Sequence, residues 1–201
     1  MIIDKSLILE KDNYLNIENV KKQIIIGNTL NHDMKHIIGW LHRNNGKYKK
    51  TAPYSISKGG VIYEHFNPSY QSSYFDDDNL NNKSIVILLE NDGWLIKNGE
   101  ENNFISWLGY IYNKKDVIDK KWRGNNHWVK YNKKQIDSLI FLVKKLCEEF
   151  TIPLNVITHN TKVDDLDNYT GIMYKSNLNT SYTDVTPAFY FDYFTNNINL
   201  K

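Results

Sequence analysis

Apolar residues in this chain fall into short runs and helically spaced stripes. Residues 23–26 form a β-branched run closed by Gly27 and Asn28, which predicts a buried strand that ends in a turn. Apolar residues then recur at positions 34, 37, 38 and 41, which predicts an amphipathic helix that ends at the Asn-Asn-Gly of residues 44–46. Residues 84–89 are apolar on both faces, which is typical of a central strand covered on each side.

The clearest predicted element is a helix over residues 133–150. Asn132 suits its N-cap and Gln135 its N3 position, and one apolar stripe then follows along the helix. Pro153 ends this pattern, and residues 154–158 predict one more strand. We expect the helix to pack across one face of a sheet whose middle holds the two apolar strands described above, side by side.

The remaining segments complete the expected architecture. Residues 52–57 and 61–66 flank a Lys-Gly-Gly turn, which predicts a β-hairpin. Residues 92–131 mix turn residues with tryptophans and predict a long, partly stranded, aromatic-rich insertion, whereas residues 159–201 are loop-rich with a short helical or extended ending around 188–194. The order β-α-β-β-β-α-β predicts a single α/β domain, in which a central mixed β-sheet is flanked by helices.

Composition narrows the class of protein. The 201 residues are 41% hydrophobic and 13% aromatic, which argues against disorder and supports one well-buried core. A net charge of +2 and the lack of a long apolar run predict neither a nucleic-acid partner nor a membrane span. Residues 1–5 show no secretory signal, so we expect the protein in the cytoplasm of the cell that makes it. The single cysteine, Cys147, excludes an internal disulfide framework.

Histidines and one aspartate are the first candidates for chemistry. His32 and His36 stand at i, i+4, a spacing that binds zinc when both side chains point to one side, but they lie off the apolar stripe and we favour solvated surface histidines. His159 is predicted at the carboxyl end of a strand, where sites in α/β sheets gather. Asp184 lies in a turn over residues 183–187. The alternative interpretation of the last two residues is a capped strand end and an Asx turn.

Several motifs, in their order and spacing, resemble the zinc N-acetylmuramoyl-L-alanine amidases, the family that contains the peptidoglycan-recognition proteins and phage lysozyme-type amidases. The motifs are IIIGNT at 24–29, YSI at 54–56, the Gly59-Gly60 hairpin, VIYE at 61–64, NKSIVILLEN at 82–91, the long helix, His159 and TDVTP at 183–187. They span residues 22–194, nearly the whole chain. Residues 107–131 resemble most the versions found in tailed-phage proteins.

The resemblance implies an amidase-like fold and, in active members, a zinc ion held by two His and a Cys or Asp. A metal-bound water attacks the amide between the lactyl group of muramic acid and L-alanine. A glutamate or tyrosine handles the proton, and a lysine or histidine steadies the oxyanion. Three protein ligands leave one position open for a water made acidic by the metal.

Four of these functional positions carry side chains that cannot do the same chemistry. The departures are Gly27 at the first zinc ligand, Leu88 at the proton-handling glutamate, Tyr74 at a further histidine, and Tyr182 at the lysine two residues before the third ligand. His159 and Asp184 match the second and third ligands. They would be zinc ligands only in a chain that retains the ion, with His32 or His36 in place of the missing first ligand. Because zinc sites use three or four protein ligands, we expect no bound cofactor.

The sequence therefore predicts a catalytically degenerate amidase-fold protein that binds peptidoglycan, or another ligand such as a muropeptide, in the former active-site groove. The expected groove residues are Tyr54, Tyr74, His159, Tyr182 and Asp184. One of the three tyrosines, Tyr182 first, is expected to hydrogen-bond His159 or Asp184 in place of the metal. The tryptophans of the insertion either stack on sugar rings or pack in the core. Two alternatives stay open: an active amidase with an unusual metal site, and a phage-encoded or virion-associated structural protein that uses the fold to contact a protein partner.

Overall fold

The computed structural model describes residues 2–41, 50–99 and 103–200. These residues form thirteen β-strands and five α-helices. The strands are β1 (Ile3–Asp4), β2 (Leu15–Glu18), β3 (Gln23–Asn28), β4 (Tyr54–Ile56), β5 (Ile62–Glu64), β6 (Tyr70–Gln71), β7 (Ser84–Leu89), β8 (Trp94–Asn98), β9 (Asn103–Ser106), β10 (Ile111–Asn113), β11 (Val117–Trp122), β12 (Asn125–Val129) and β13 (Gly171–Tyr174). The helices are α1 (His36–Leu41), α2 (Asp78–Lys83), α3 (Lys133–Phe150), α4 (Lys175–Leu178) and α5 (Phe191–Ile198).

A mixed sheet forms the centre of the molecule, in the order β1-β5-β4-β7-β3-β13. Strands β3 and β7 run parallel and pair over their full lengths, and every residue of both is buried. The β4–β5 hairpin is antiparallel, whereas β4 pairs parallel to β7. The predicted mixed sheet, with the two apolar strands adjacent in its middle, is confirmed.

The two faces of this sheet bury different sets of side chains. On one face, Ile24, Ile26 and Ile87 pack with the apolar stripe of α3. The side chain of Asn132 caps this helix by accepting a hydrogen bond from the Lys134 N–H at 3.0 Å, as the sequence predicts. Because side chains alternate along a strand, Ile25 belongs to the other face of the sheet. That face has a second hydrophobic core of its own.

The described residues of the predicted insertion, 92–99 and 103–131, form a second sheet in the antiparallel order β10-β9-β8-β12-β11. The predicted insertion is therefore stranded along most of its length. Trp128 is fully buried in the core under α3, whereas Trp107 is 53% exposed. Trp128 therefore packs in the core, whereas Trp107 does not.

Two predictions near the carboxyl terminus are wrong. Residues 154–158 form no strand, and only Val156 makes an isolated bridge, to Ile172. The sheet is instead completed by β13, which lies in the segment predicted to be loop-rich and pairs parallel to β3. The predicted end of the first helix at residues 44–46 lies outside the described residues. Within the parts of the chain that the structure describes, every helix is too short or too polar to cross a bilayer.

Candidate functional site

A row of residues crosses the carboxyl-end edge of the central sheet. In register, Gly27 of β3 lies beside Leu88 of β7, and Lys175 directly follows the β13 residue that pairs with Ile26. A Cβ atom built on Gly27 would lie 3.3 Å from Leu88 Cδ2 and 3.6 Å from Lys175 Cδ. The side chains of Leu88 and Lys175 therefore fill the space that a side chain at position 27 would take.

The ammonium group of Lys175 lies at the centre of this pocket. Its Nζ is 3.3 Å from Asp184 Oδ2 and 3.4 Å from the Tyr74 hydroxyl. It also lies over two aromatic rings, 5.0 Å from the ring centre of Tyr74 and 4.7 Å from that of Tyr182. The Lys175 side chain is 14% exposed and that of Asp184 is 2% exposed. The pocket thus holds a largely buried ion pair between two phenol rings.

The environment keeps this lysine charged. Burial by itself would lower the pKa of Lys175, but the Asp184 carboxylate and the Tyr74 hydroxyl together raise it above its ordinary value. Burial also raises the pKa of Tyr74 to about 12, against the opposing effect of the nearby Lys175 charge. At neutral pH the pocket therefore holds an ammonium and a neutral phenol.

Asp184 is fixed to the sheet edge by a short chain of hydrogen bonds. Its Oδ1 accepts a hydrogen bond from the backbone N–H of Asn28 at 2.8 Å. The Asn28 side-chain oxygen accepts one from the Tyr131 hydroxyl at 2.9 Å, and that hydroxyl oxygen accepts one from the Thr186 N–H at 3.2 Å. The loop around Asp184 is thereby docked on β3 from two directions.

Arg123, from the insertion, holds the segment between Lys175 and Asp184. Its guanidinium donates to the carbonyl oxygens of Ser176 at 2.8 Å and Asn179 at 2.9 Å, and to that of Tyr182. The same group stacks on the Trp122 ring at 4.4 Å. Because a planar guanidinium offers several donors in fixed directions, it can bind three carbonyls of one turn together.

The profile of one protein family, described as N-acetylmuramoyl-L-alanine amidase, matches residues 18–170. The chain belongs to the N-acetylmuramoyl-L-alanine amidase family. The match ends before Lys175 and Asp184, so the part of the pocket that these residues form lies outside it. No protein of curated function matches the sequence.

Solved structures of amidases share the fold over the full length. The N-acetylmuramoyl-L-alanine amidase LysC from Clostridium intestinale URNW has a TM-score of 0.56 at 14% identity, with 100% of this chain and 99% of that chain covered. The catalytic domain of XlyA has a TM-score of 0.57 at 15% identity, with 98% and 99% covered. At these identities the likeness establishes the amidase fold, whereas activity has to be argued from the site.

Zinc, which the amidase family implies, does not fit the side chains of this pocket. Gly27 and Leu88 offer no donor atom, and the protonated Lys175 has no lone pair for a metal. Burial keeps the Tyr74 hydroxyl a protonated phenol by raising its pKa, and both oxygens of Asp184 already have partners. Among the residues that the structure describes, no three His, Cys, Asp or Glu side chains converge as a metal site would require.

His159, expected to pair with Asp184, lies elsewhere in this amidase fold. Its exposed side chain contacts the Thr161 hydroxyl at 2.7 Å, and its carbonyl accepts a hydrogen bond from Asn177. In the described ranges no ion pair joins His159 to Asp184. The reason is that the expected strand before His159 does not form, so that β13 carries Lys175, not His159, to the pocket.

The three expected groove tyrosines separate into two sites. Tyr74 and Tyr182 line the pocket, but the structure does not bring Tyr54 there. Tyr54 is buried on the α3 face of the sheet, and its hydroxyl donates to Glu64 at 3.1 Å. Within the described residues, no tyrosine hydroxyl bonds directly to Asp184 or His159. Lys175, which the sequence analysis did not single out, lies between the rings and the carboxylate.

The prediction that His32 and His36 are solvated on one helix surface is wrong. His32 precedes α1 and stacks on Tyr110 at 4.1 Å between ring centres, with a side chain 23% exposed. His36 is 8% exposed and lies edge-on to His65, which is fully buried. Burial lowers the pKa of His36 to about 3. The two histidines therefore belong to different parts of the structure.

Proposed function

We propose that this chain is a catalytically degenerate amidase that binds peptidoglycan or a muropeptide in the groove above Lys175 without hydrolysing it. The observation that carries the proposal is the ion pair of Lys175 with Asp184, beside Gly27 and Leu88, which offer no catalytic group. Amide hydrolysis needs an activated water and a group that transfers protons. Each missing group of this kind typically costs about 10²–10⁴ in rate, although such losses do not simply add.

Binding has support from the two aromatic rings beside Lys175. Tyr74 and Tyr182 are each half-buried, and the Lys175 ammonium lies over both rings. Aromatic rings beside polar groups suit an amphipathic ligand such as an amino sugar linked to a peptide. Arg123 and the Asn28 contact to Asp184 fix the walls before any ligand arrives, which reduces the entropy lost on binding.

Co-sedimentation with insoluble peptidoglycan tests this proposal, with mass spectrometry of the soluble fraction to detect amide cleavage. We expect the protein to sediment with the polymer and to release no peptide. Tyr182→Ala should weaken retention at least about tenfold by removing a groove wall. Tyr190→Ala is the matched control, since Tyr190 is an aromatic residue 42% exposed outside the groove, and should bind as the native protein does.

Each other outcome favours one alternative. Peptide release would identify the first alternative, an active amidase with an unusual metal site. We expect metal analysis to find much less than one zinc per chain. A protein that neither cuts nor sediments would support the second alternative, a phage-encoded or virion-associated protein that uses the groove for a protein partner. A cytoplasmic location in the producing cell is part of our proposal for either binding role.

A further inference from the structure

Three isoleucines form an exposed row across strands β8, β9 and β10 of the second sheet. Ile96 pairs with Ile105, and Ile105 pairs with Ile111, so the three residues lie in one line across the strands. Ile96 is 62% exposed and Ile111 is 68% exposed. Trp107 stands two positions after Ile105 and is 53% exposed, so the apolar strip continues towards the β9–β10 turn. Contiguous apolar surface of this kind marks interaction sites.

A row of amide side chains lies beside the isoleucines. Asn98 pairs with Asn103, and Asn103 pairs with Asn113, each two positions along its strand from an isoleucine. Because alternate residues of a strand share a face, the amides and the isoleucines belong to one side of the sheet. Phe104 and Tyr112, which alternate with them, are buried in a separate small core on the other side. We call the two rows, together with Trp107, the insertion face.

We propose that the insertion face binds a glycan chain built of N-acetylated sugars, as a second binding surface outside the Lys175 groove. The acetyl methyl groups and the CH faces of the sugar rings would pack on the isoleucines and on Trp107. The hydroxyl and acetamido groups would hydrogen-bond the asparagines, whose amides both donate and accept. This inference rests on the proposed function in one respect, that the ligand of the chain contains N-acetylated sugars.

Charge on the insertion face favours a neutral ligand. Its seven residues are all uncharged, in a chain of which 24% is charged. A nucleic acid or an anionic lipid surface would be recognised by Lys and Arg side chains. Sugars are bound instead by an apolar surface with a few placed hydrogen-bonding groups, which is the composition of this face.

The size of the insertion face argues against a second copy of the chain as the partner. Three strands span about 14 Å and five residues along a strand span about 17 Å, which gives about 240 Å² in projection. Each partner in a stable protein interface buries roughly 800 Å². The face is therefore small for a protein partner, whereas an extended glycan chain needs only a narrow strip.

Tetraacetylchitotetraose, a neutral chain of N-acetylglucosamine without peptide, is the probe, and isothermal titration calorimetry on the full chain is the measurement. We expect the native protein to bind it. Trp107→Ala should weaken binding about tenfold by removing a stacking ring, and Ile111→Asp at least about tenfold by placing a carboxylate in the apolar row. Ile17→Asp is the matched control, since Ile17 is 53% exposed on β2, and should bind as the native protein does.

Amide hydrogen exchange on the native protein gives a readout that needs no substitution. The tetrasaccharide should slow exchange over residues 103–113 and leave α3 unchanged. Slowing confined to residues outside the second sheet would place the sugar elsewhere and overturn the inference.

The outcomes separate this inference from the proposed function. An affinity that Trp107→Ala and Ile111→Asp leave unchanged, or a loss in Tyr182→Ala alone, places the sugars in the groove, which overturns the inference and leaves the proposed function intact. A native protein that sediments with peptidoglycan but does not bind the tetrasaccharide has the same meaning. Tetrasaccharide binding that depends on Trp107, together with retention on peptidoglycan that Tyr182→Ala leaves unchanged, supports the insertion face and overturns the groove.

Analytical ultracentrifugation tests the remaining occupant, a second copy of the chain. We expect a monomer. A dimer that Ile111→Asp dissociates, in a protein that does not bind the tetrasaccharide, would show that the insertion face joins two copies and would overturn the inference.

Discussion

The two faces of the central sheet are built on the same strands but are filled by different chemistry. On the α3 face, side chains such as Ile24 and Ile87 pack against an apolar helix stripe. On the opposite face, the row at the strand ends runs from the ion pair of Lys175 to Ser55, whose Oγ is 2.6 Å from Nε2 of the buried His65. The first face depends on volume, which many apolar residues can supply. The second depends on individual partners, and removing one leaves a buried polar group without its complement.

Lys175→Met tests the second face most severely. We expect a loss of about 3–5 kcal/mol in the free energy of unfolding, because Asp184 is then a buried carboxylate without its cation. Urea denaturation at pH 7 measures this loss. The double variant Lys175→Met/Asp184→Asn should recover most of it, since an amide carries no charge to bury. Losses that add in the double variant would show that the two groups are not coupled.

Leu139→Ala is the corresponding test of the α3 face. Leu139 is fully buried in the core under the helix, so truncation should cost about 2–5 kcal/mol through lost burial and a cavity. Urea denaturation at pH 7 also measures this loss. Unlike the loss from Lys175→Met, it should not be recovered by a second substitution that removes a charge. Lys145→Ala, at a side chain 46% exposed on the same helix, should stay within about 0.5 kcal/mol of the native protein.

The buried histidines of the second face predict that acid lowers the free energy of unfolding. Burial lowers the pKa of His36 to about 3 and that of His65 to about 4, whereas both titrate near 6.5 in the unfolded chain. The unfolded state therefore binds more protons between pH 6.5 and 4, so stability is complete above about pH 6.5 and falls as the pH drops through this window. The slope should approach about 1.4 kcal/mol per pH unit for each histidine.

Urea midpoints at pH 7, 6 and 5 measure this dependence. Most carboxylates stay ionised over that range, so the histidines dominate the change. His65→Gln should flatten the profile by about half, at a cost in stability at pH 7. A native profile that is level from pH 7 to pH 5 would contradict the burial of the two imidazoles.

The same division explains how much the sequence could predict. Strands β3 and β7 and helix α3 follow from local apolar patterns, and the structure confirms all three. Strand β13 is four residues long, and its burial comes from pairing with β3 almost 150 positions earlier, which no local pattern records. Lys175 could therefore not be placed at the end of a strand. The apolar run before His159 was the stronger local signal, but its Leu154 is 42% exposed and the run pairs with the sheet only at a single bridge.

The hydrogen bonds of Arg123 likewise join segments far apart in the chain, and they give the smallest expected effect. Arg123→Lys keeps the charge but cannot reach three carbonyl oxygens in one plane. We expect global stability to fall by only about 1 kcal/mol, because the change removes hydrogen bonds to a surface turn and leaves both cores intact.

The local consequence of Arg123→Lys should be clearer than the global one. Amide hydrogen exchange over residues 176–182 should quicken about tenfold as this turn opens more often, with α3 unchanged. Lys121→Ala, at an exposed position of β11, the strand that ends one residue before Arg123, is the control and should alter neither segment. If exchange also quickens in α3, Arg123 stabilises the whole fold, and the two faces would not be as independent as their chemistry implies. If amide exchange stays slow both in residues 176–182 and in α3, the turn does not depend on Arg123. Lys175 and Asp184 then suffice to fix that side of the groove.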